Sequence, residues 1–102
     1  MEFKQLEMLV ALAEEGTVQK AADRVFRTQP AVSIAMRKLE DELGTKILDR
    51  GARRTSPLTE AGRLLYDYAT ELLRVREQAF ANIRGQDEVL GGSGSGAVTR
   101  IA

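Results

Sequence analysis

Gln29, Ser33 and Arg37 recur at four-residue intervals behind a threonine, Thr28, that can cap a helix start. At about 100° per helical residue this spacing keeps the three side chains on neighbouring angles of one face. Their chemistry suits base edges. Gln29 can pair bidentately with adenine, Ser33 can donate to or accept from either base type, and Arg37 can reach guanine or a phosphate. Pro30 and Ile34 fall on the same side and offer apolar contact to a thymine methyl group. Thr28, Lys38, Arg50, Arg53, Arg54 and Thr59 are candidates for phosphate contacts, which fix register without carrying sequence information. Arg53 or Arg54 can alternatively enter a narrow minor groove, where the negative potential is enhanced.

Other chemistries are excluded by what is missing. The 102 residues contain no cysteine and no histidine, which removes disulfides, thiolate nucleophiles, sulfur-based zinc sites and the usual general base. No catalytic residue and no metal ligand set emerges, and no enzyme is expected. Fifteen basic and fifteen acidic side chains cancel overall. The charge is nevertheless segregated, at −3 over residues 1–19, +4 over 20–54 and −1 over 55–102. The middle third, which holds the candidate contacts, is the positive part. No apolar run reaches the roughly 20 residues of a membrane-spanning helix, and the N-terminus lacks a secretory layout, so a cytoplasmic protein without a membrane partner is expected.

The elements that must position these residues follow from periodicity. Phe3, Leu6, Leu9, Val10 and Ala13 mark one face of a helix over about 3–15. Gly16 stops it, and Thr17 caps a short second helix with Val18, Ala21, Ala22 and Val25 turned inward. After a break around Phe26 and Arg27, a third helix begins near Gln29 with Pro30 in its first turn. Val32, Met36, Leu39 and Leu43 form its core stripe, and Gly44 ends it. Residues 46–49 and 55–58 flank a basic tip with a turn glycine, Gly51, and read as a two-stranded wing. Thr59 opens a long helix to about Arg84, before Gly85, whose Leu65, Tyr68, Leu72, Val75 and Ala79 step by three and four as a dimerisation seam.

The fold class predicted is mainly α: a winged helix-turn-helix over 1–58, a linker and dimerisation helix over 59–85, and a hinge over 86–102. Residues 91–96 have linker composition. The alternation at 98–101 reads as the first strand of a further domain, or else as a disordered tail or expression remnant. The glycines at 92–96 lack the flanking strand, helix and lysine of a phosphate loop. Glu40, Asp41 and Glu42, being consecutive on a helix, cannot converge on a metal and are expected to form a solvated face.

The blocks Gly16-Thr17-Val18, Ala21-Ala22, Thr28-Gln29-Pro30-Ala31-Val32-Ser33, Arg37-Lys38-Leu39-Glu40, Leu43-Gly44, Arg50 and Leu58-Thr59-Glu60-Ala61-Gly62 stand in this order. In these the chain resembles LysR-type transcriptional regulators over about residues 1–85. Thr17, Val18 and Gln19, Ile34, Ala35 and Leu48 depart from the residues frequent in that family, and the wing tip is about one residue longer. The resemblance implies an N-terminal winged domain that binds double-stranded DNA and a linker helix that dimerises antiparallel. It also implies a homodimer, or a tetramer in a full-length protein, on an interrupted pseudo-palindrome. No cofactor is expected in this chain, and a small-molecule effector is expected for an absent C-terminal domain. The alternatives are another dimeric winged-helix regulator, of MarR or molybdate-responsive type, which the Gln-Pro-Ala-Val-Ser block disfavours, and a helical protein-interaction module.

Overall fold

The computed structural model describes residues 1–51 and 56–90, the last five as backbone only. Four helices lie among them: α1 Phe3–Glu15, α2 Val18–Arg24, α3 Gln29–Leu43 and α4 Glu60–Leu90. Arg53 and Arg54 at the wing tip, the linker at 91–96 and the alternation at 98–101 lie outside the described residues.

Local chemistry sets the helix ends. The hydroxyls of Thr17, Thr28 and Thr59 accept the amides of Lys20, Ala31 and Gly62 at 3.2, 3.2 and 3.1 Å, each satisfying an amide that the helix itself leaves open. At the other ends, Gly16 and Gly44 take φ of +92° and +71°, a left-handed conformation that costs a residue without Cβ little. The α2–α3 turn uses the same geometry with a larger residue. Phe26 has φ of +57°, and the amides of Arg27 and Phe26 donate to Ala22 and Asp23 carbonyls at 2.9 and 3.3 Å, closing α2 as a Schellman-type turn.

α1 is the centre of the domain. It packs against α2, α3 and α4, and Leu6, Met8, Leu9, Val10, Ala11 and Leu12 are all buried, more of its circumference than the single face predicted. A helix with three packing partners buries more of its surface than one apolar face. Phe3 sits at the open end of α1, 45% exposed, with the Arg76 guanidinium 5.1 Å above its ring. Ala21 and Ala22 are fully packed, and their small side chains let α2 approach α1 closely.

Two expectations are corrected on α3. Leu43 is 43% exposed because the core ends one turn earlier, at Leu39, and Ala35 is buried in the stripe instead. Glu40 is not part of a solvated face: it is 5% exposed, covered by the chain returning at 46–48. Among the described residues the wing pairs through an antiparallel bridge between Leu48 and Leu58. It is flanked by bonds from Asp49 N to Pro57 O at 2.9 Å and from Thr59 N to Ile47 O at 3.0 Å.

α4 is longer than predicted, running through Gly85 to Leu90; one glycine costs a helix interior only about 1 kcal/mol. Its first half belongs to the domain. Leu65 and Ala69 are buried and Tyr66 and Leu73 pack against the same core, while Tyr66 donates its hydroxyl to Glu14 at 2.7 Å and Arg76 bonds Glu7 at 2.9 Å. Gly62 is where α4 meets the wing root. A Cβ there would stand 2.2 Å from the Ile47 carbonyl oxygen and 3.1 Å from Leu58 Cβ. Backbone cannot yield as a flexible side chain does, so Gly62→Ala should lower stability by about 2 kcal/mol or more. Urea unfolding of the two proteins checks this, and an unchanged midpoint would rule out the close approach.

Candidate nucleic-acid interface

α3 presents two unlike sides. Val32, Ala35, Met36 and Leu39 are buried against α1 and α2, whereas Gln29, Pro30, Ile34, Arg37 and Lys38 are exposed and Ser33 is half-buried. The predicted base-contact set is thus brought onto one accessible surface at the N-terminal two-thirds of the helix. Ile34, 54% exposed, stands at its edge and shares a shallow groove with Lys4, Gln5, Ala31 and Lys38. Lys4 and Arg27 border this surface but were not among the predicted contacts, since α1 reads as a core helix and the α2–α3 turn as a mere break.

Charge distinguishes this side from the back. Arg24 pairs with Glu14 and Glu15 at 2.8 and 3.2 Å, Arg76 with Glu7 at 2.9 Å, and Arg74 with Glu71. Among the described residues Arg27, Arg37 and Lys38 enter no ion pair. Cations left without carboxylates along one exposed helix suit a polyanion.

The threonines divide by what their hydroxyls have left to give. Thr28 accepts from Ala31 N, which leaves its proton available to an outside acceptor. Thr59 accepts from Gly62 N and also donates to the Lys46 carbonyl at 2.7 Å. Its one proton is spent within the fold, so its hydroxyl cannot donate to phosphate while that bond lasts. Arg50 is exposed beyond the wing root, and Asp49 accepts the Gly51 amide at 2.9 Å, turning the chain there.

Glu40 lies about 20° from Gln29 on the helical wheel, so by angle alone it continues the contact face. It ends that face instead. Oε2 accepts the amides of Ile47 and Leu48 at 2.9 and 3.1 Å, and Oε1 is 4.0 Å from Lys46 Nζ. Burial pushes this carboxyl up, but the two amides, with Arg50 and Lys46 nearby, outweigh it and hold it below the usual carboxylate value. Glu14 is shifted the same way, first by the Tyr66 hydroxyl and then by Arg24.

No helix among the described residues is long and apolar enough to cross a membrane, and no group of carboxylates is placed to hold a metal ion among them. A helix-turn-helix with an exposed, unpaired cationic contact helix is the architecture of a DNA-binding regulator domain. Residues 3–63 match the family described as bacterial regulatory helix-turn-helix protein, lysR family. The chain belongs to that family. It is 47% identical over 74 residues to the DNA-binding transcriptional dual regulator OxyR of Escherichia coli (strain K12), covering 72% of this chain and 24% of that protein. It is 39% identical over 89 residues to a probable RuBisCO transcriptional regulator of Trichormus variabilis, covering 87% of this chain and 26% of that one. The chain therefore spans about a quarter of the length of these relatives. Among solved structures, the CbnR DNA-binding domain in complex with DNA superposes with a TM-score of 0.76 at 34% identity, over 83% of this chain and 97% of that one. Vibrio fischeri DarR in complex with DNA superposes with a TM-score of 0.78 at 31% identity, over 87% of this chain and 30% of that one.

Carboxyls held low in the folded state contribute stability that is complete above the ordinary carboxylate value and lost as pH falls through the folded-state values. Unfolding midpoints should therefore decline as pH drops below about 4.3, and Glu40→Gln should flatten that decline. A midpoint that rises between pH 5 and pH 3, about the window where carboxylates protonate, would reverse the sign and refute the assignment.

Proposed function

We propose that this chain is the DNA-binding part of a LysR-type transcriptional regulator, and that α3 reads bases in the major groove while the wing lies along the backbone or minor groove. The observation that carries this is the exposed, unpaired face of α3, supported by neighbours of the same fold bound to DNA. Gln29, Ser33 and Arg37 are the base readers, with Pro30 and Ile34 in apolar contact. Thr28, Lys38, Arg50, Arg53 and Arg54 hold the backbone, with Lys4 and Arg27 beside them; Thr59 supports from within. The activity is recognition in the cytoplasm rather than catalysis. A small-molecule effector belongs to the remaining three-quarters that the relatives' lengths indicate.

The working unit is a dimer built on α4. The helix is about 46 Å long at 1.5 Å per residue, and its own domain covers it only to Arg76. The predicted seam needs one correction: Leu65 is buried in the domain core at 8% exposure, and Leu64, at 58%, takes its place. Leu64, Tyr68, Leu72, Val75 and Ile83 are exposed apolar side chains, with Ala79 also exposed between them. This series reads the same from either end, about a point between Leu73 and Arg74. Antiparallel pairing then sets Leu64 against the partner's Ile83, Tyr68 against the partner's Ala79 and Leu72 against the partner's Val75. The partner's Ile83 reaches the apolar groove formed by Leu43, Ile47, Ala61, Leu64 and Tyr68. Such a two-fold unit presents two copies of α3 to an interrupted pseudo-palindrome.

Two measurements test these readings. Gln29→Ala or Ser33→Ala should cost about 1 to 3 kcal/mol on a site selected from random duplexes and relax preference at one base pair. An equal loss on unselected DNA would assign them to the backbone instead. Leu72→Glu should shift the protein to monomer in sedimentation and weaken binding to the two-half-site duplex; a wild-type mass would place the dimer contact elsewhere.

A further inference from the structure

Glu40 is a charged side chain that the reading face does not use and the solvent does not reach. Taking a carboxylate out of water costs several kcal/mol, and a fold that only needed volume there would be served by an apolar residue. A carboxylate adds direction. Its Oε2 collects two successive amides, Ile47 and Leu48, fixing the chain two residues before Arg50. The opposite side of the same segment is held by α4, through Thr59 Oγ1 on the Lys46 carbonyl at 2.7 Å and Thr59 N on the Ile47 carbonyl at 3.0 Å. On α3, Glu40 follows Arg37 by one turn and stays in line with Gln29 and Ser33. The carboxylate therefore sits where the reading face stops and the wing root begins.

We propose that Glu40 is a positioning residue for DNA binding: by tying the amides of Ile47 and Leu48 to α3, it holds Arg50 at a fixed place relative to Gln29, Ser33 and Arg37, so that backbone and base contacts form together. This rests on the DNA-binding reading above, and the test separates the two. Glu40→Gln keeps the size and one acceptor oxygen but removes the charge; Glu40→Asp keeps the charge and withdraws it by one methylene. Each is compared with the wild-type 102-residue chain by fluorescence anisotropy on a selected duplex and on random duplex, between about 50 and 300 mM salt, at a temperature where circular dichroism shows wild-type helicity. Asp carries the test if Gln does not keep that helicity.

The expected result is roughly tenfold weaker binding, the size of one lost charge-assisted contact, on selected and random DNA alike. The dependence of log K on log salt should become shallower by about one, and Arg50→Ala added to Glu40→Gln should produce little further loss. A purely structural role would lower the melting temperature and leave the affinity and salt slope of the folded protein unchanged; that result overturns the proposal, as do fully additive losses with Arg50→Ala. If the wild-type chain itself shows no salt-dependent DNA binding, the functional reading falls, and the proposal with it; normal wild-type binding with unaffected variants removes only the role of Glu40.

Discussion

The three residues Lys46, Ile47 and Leu48 carry the junction on which the rest of the molecule depends. A short extended segment with one bridge to Leu58 has too few partners of its own, and buried backbone groups left open cost about as much as a lost hydrogen bond. Here they are met from outside, by Glu40 on α3 and Thr59 at the start of α4. Gly62 permits the approach, since any side chain there would strike the Ile47 carbonyl. One set of hydrogen bonds thus ties α3, the wing root and the start of α4 together.

What is legible in the sequence is what short range decides. Thr17, Thr28 and Thr59 cap the helices they precede, and Gly16 and Gly44 end helices in the left-handed conformation, because caps and stops depend on a few consecutive residues. The exposed face of α3 is legible for a similar reason: helical angle separates it from Val32, Met36 and Leu39. Most of the misreadings turn on contacts distant in sequence. Helical angle gives Glu40 no reason to be buried, because the cover is residues 46–48 returning over it. An amphipathic pattern shows Leu64 and Leu65 as equally apolar, and only the packed domain assigns Leu65 inward. Gly85 looks like a stop, yet as a helix-interior residue it adds only a small cost.

A net charge of zero taken alone argues against a nucleic-acid partner, but the arrangement of the charges overrides that total. The acids of α1 are placed at the back: Glu7 meets Arg76, Glu14 meets Arg24 and the Tyr66 hydroxyl, and Glu15 meets Arg24. Exposed pairs of this kind add little stability, but they neutralise cations far from α3. One acid of α3, Glu40, is turned inward onto two amides. The cations at 27, 37 and 38 enter no ion pair among the described residues, whereas Glu7, Glu14 and Glu15 are engaged by Arg24 and Arg76. Screening confines the field of a cation to about 8 Å at physiological ionic strength, so a duplex senses the local surface of α3 rather than the sum over the chain. In the reading proposed above, discrimination falls to Gln29, Ser33 and Arg37, where a wrong base would leave a hydrogen-bonding group without its partner.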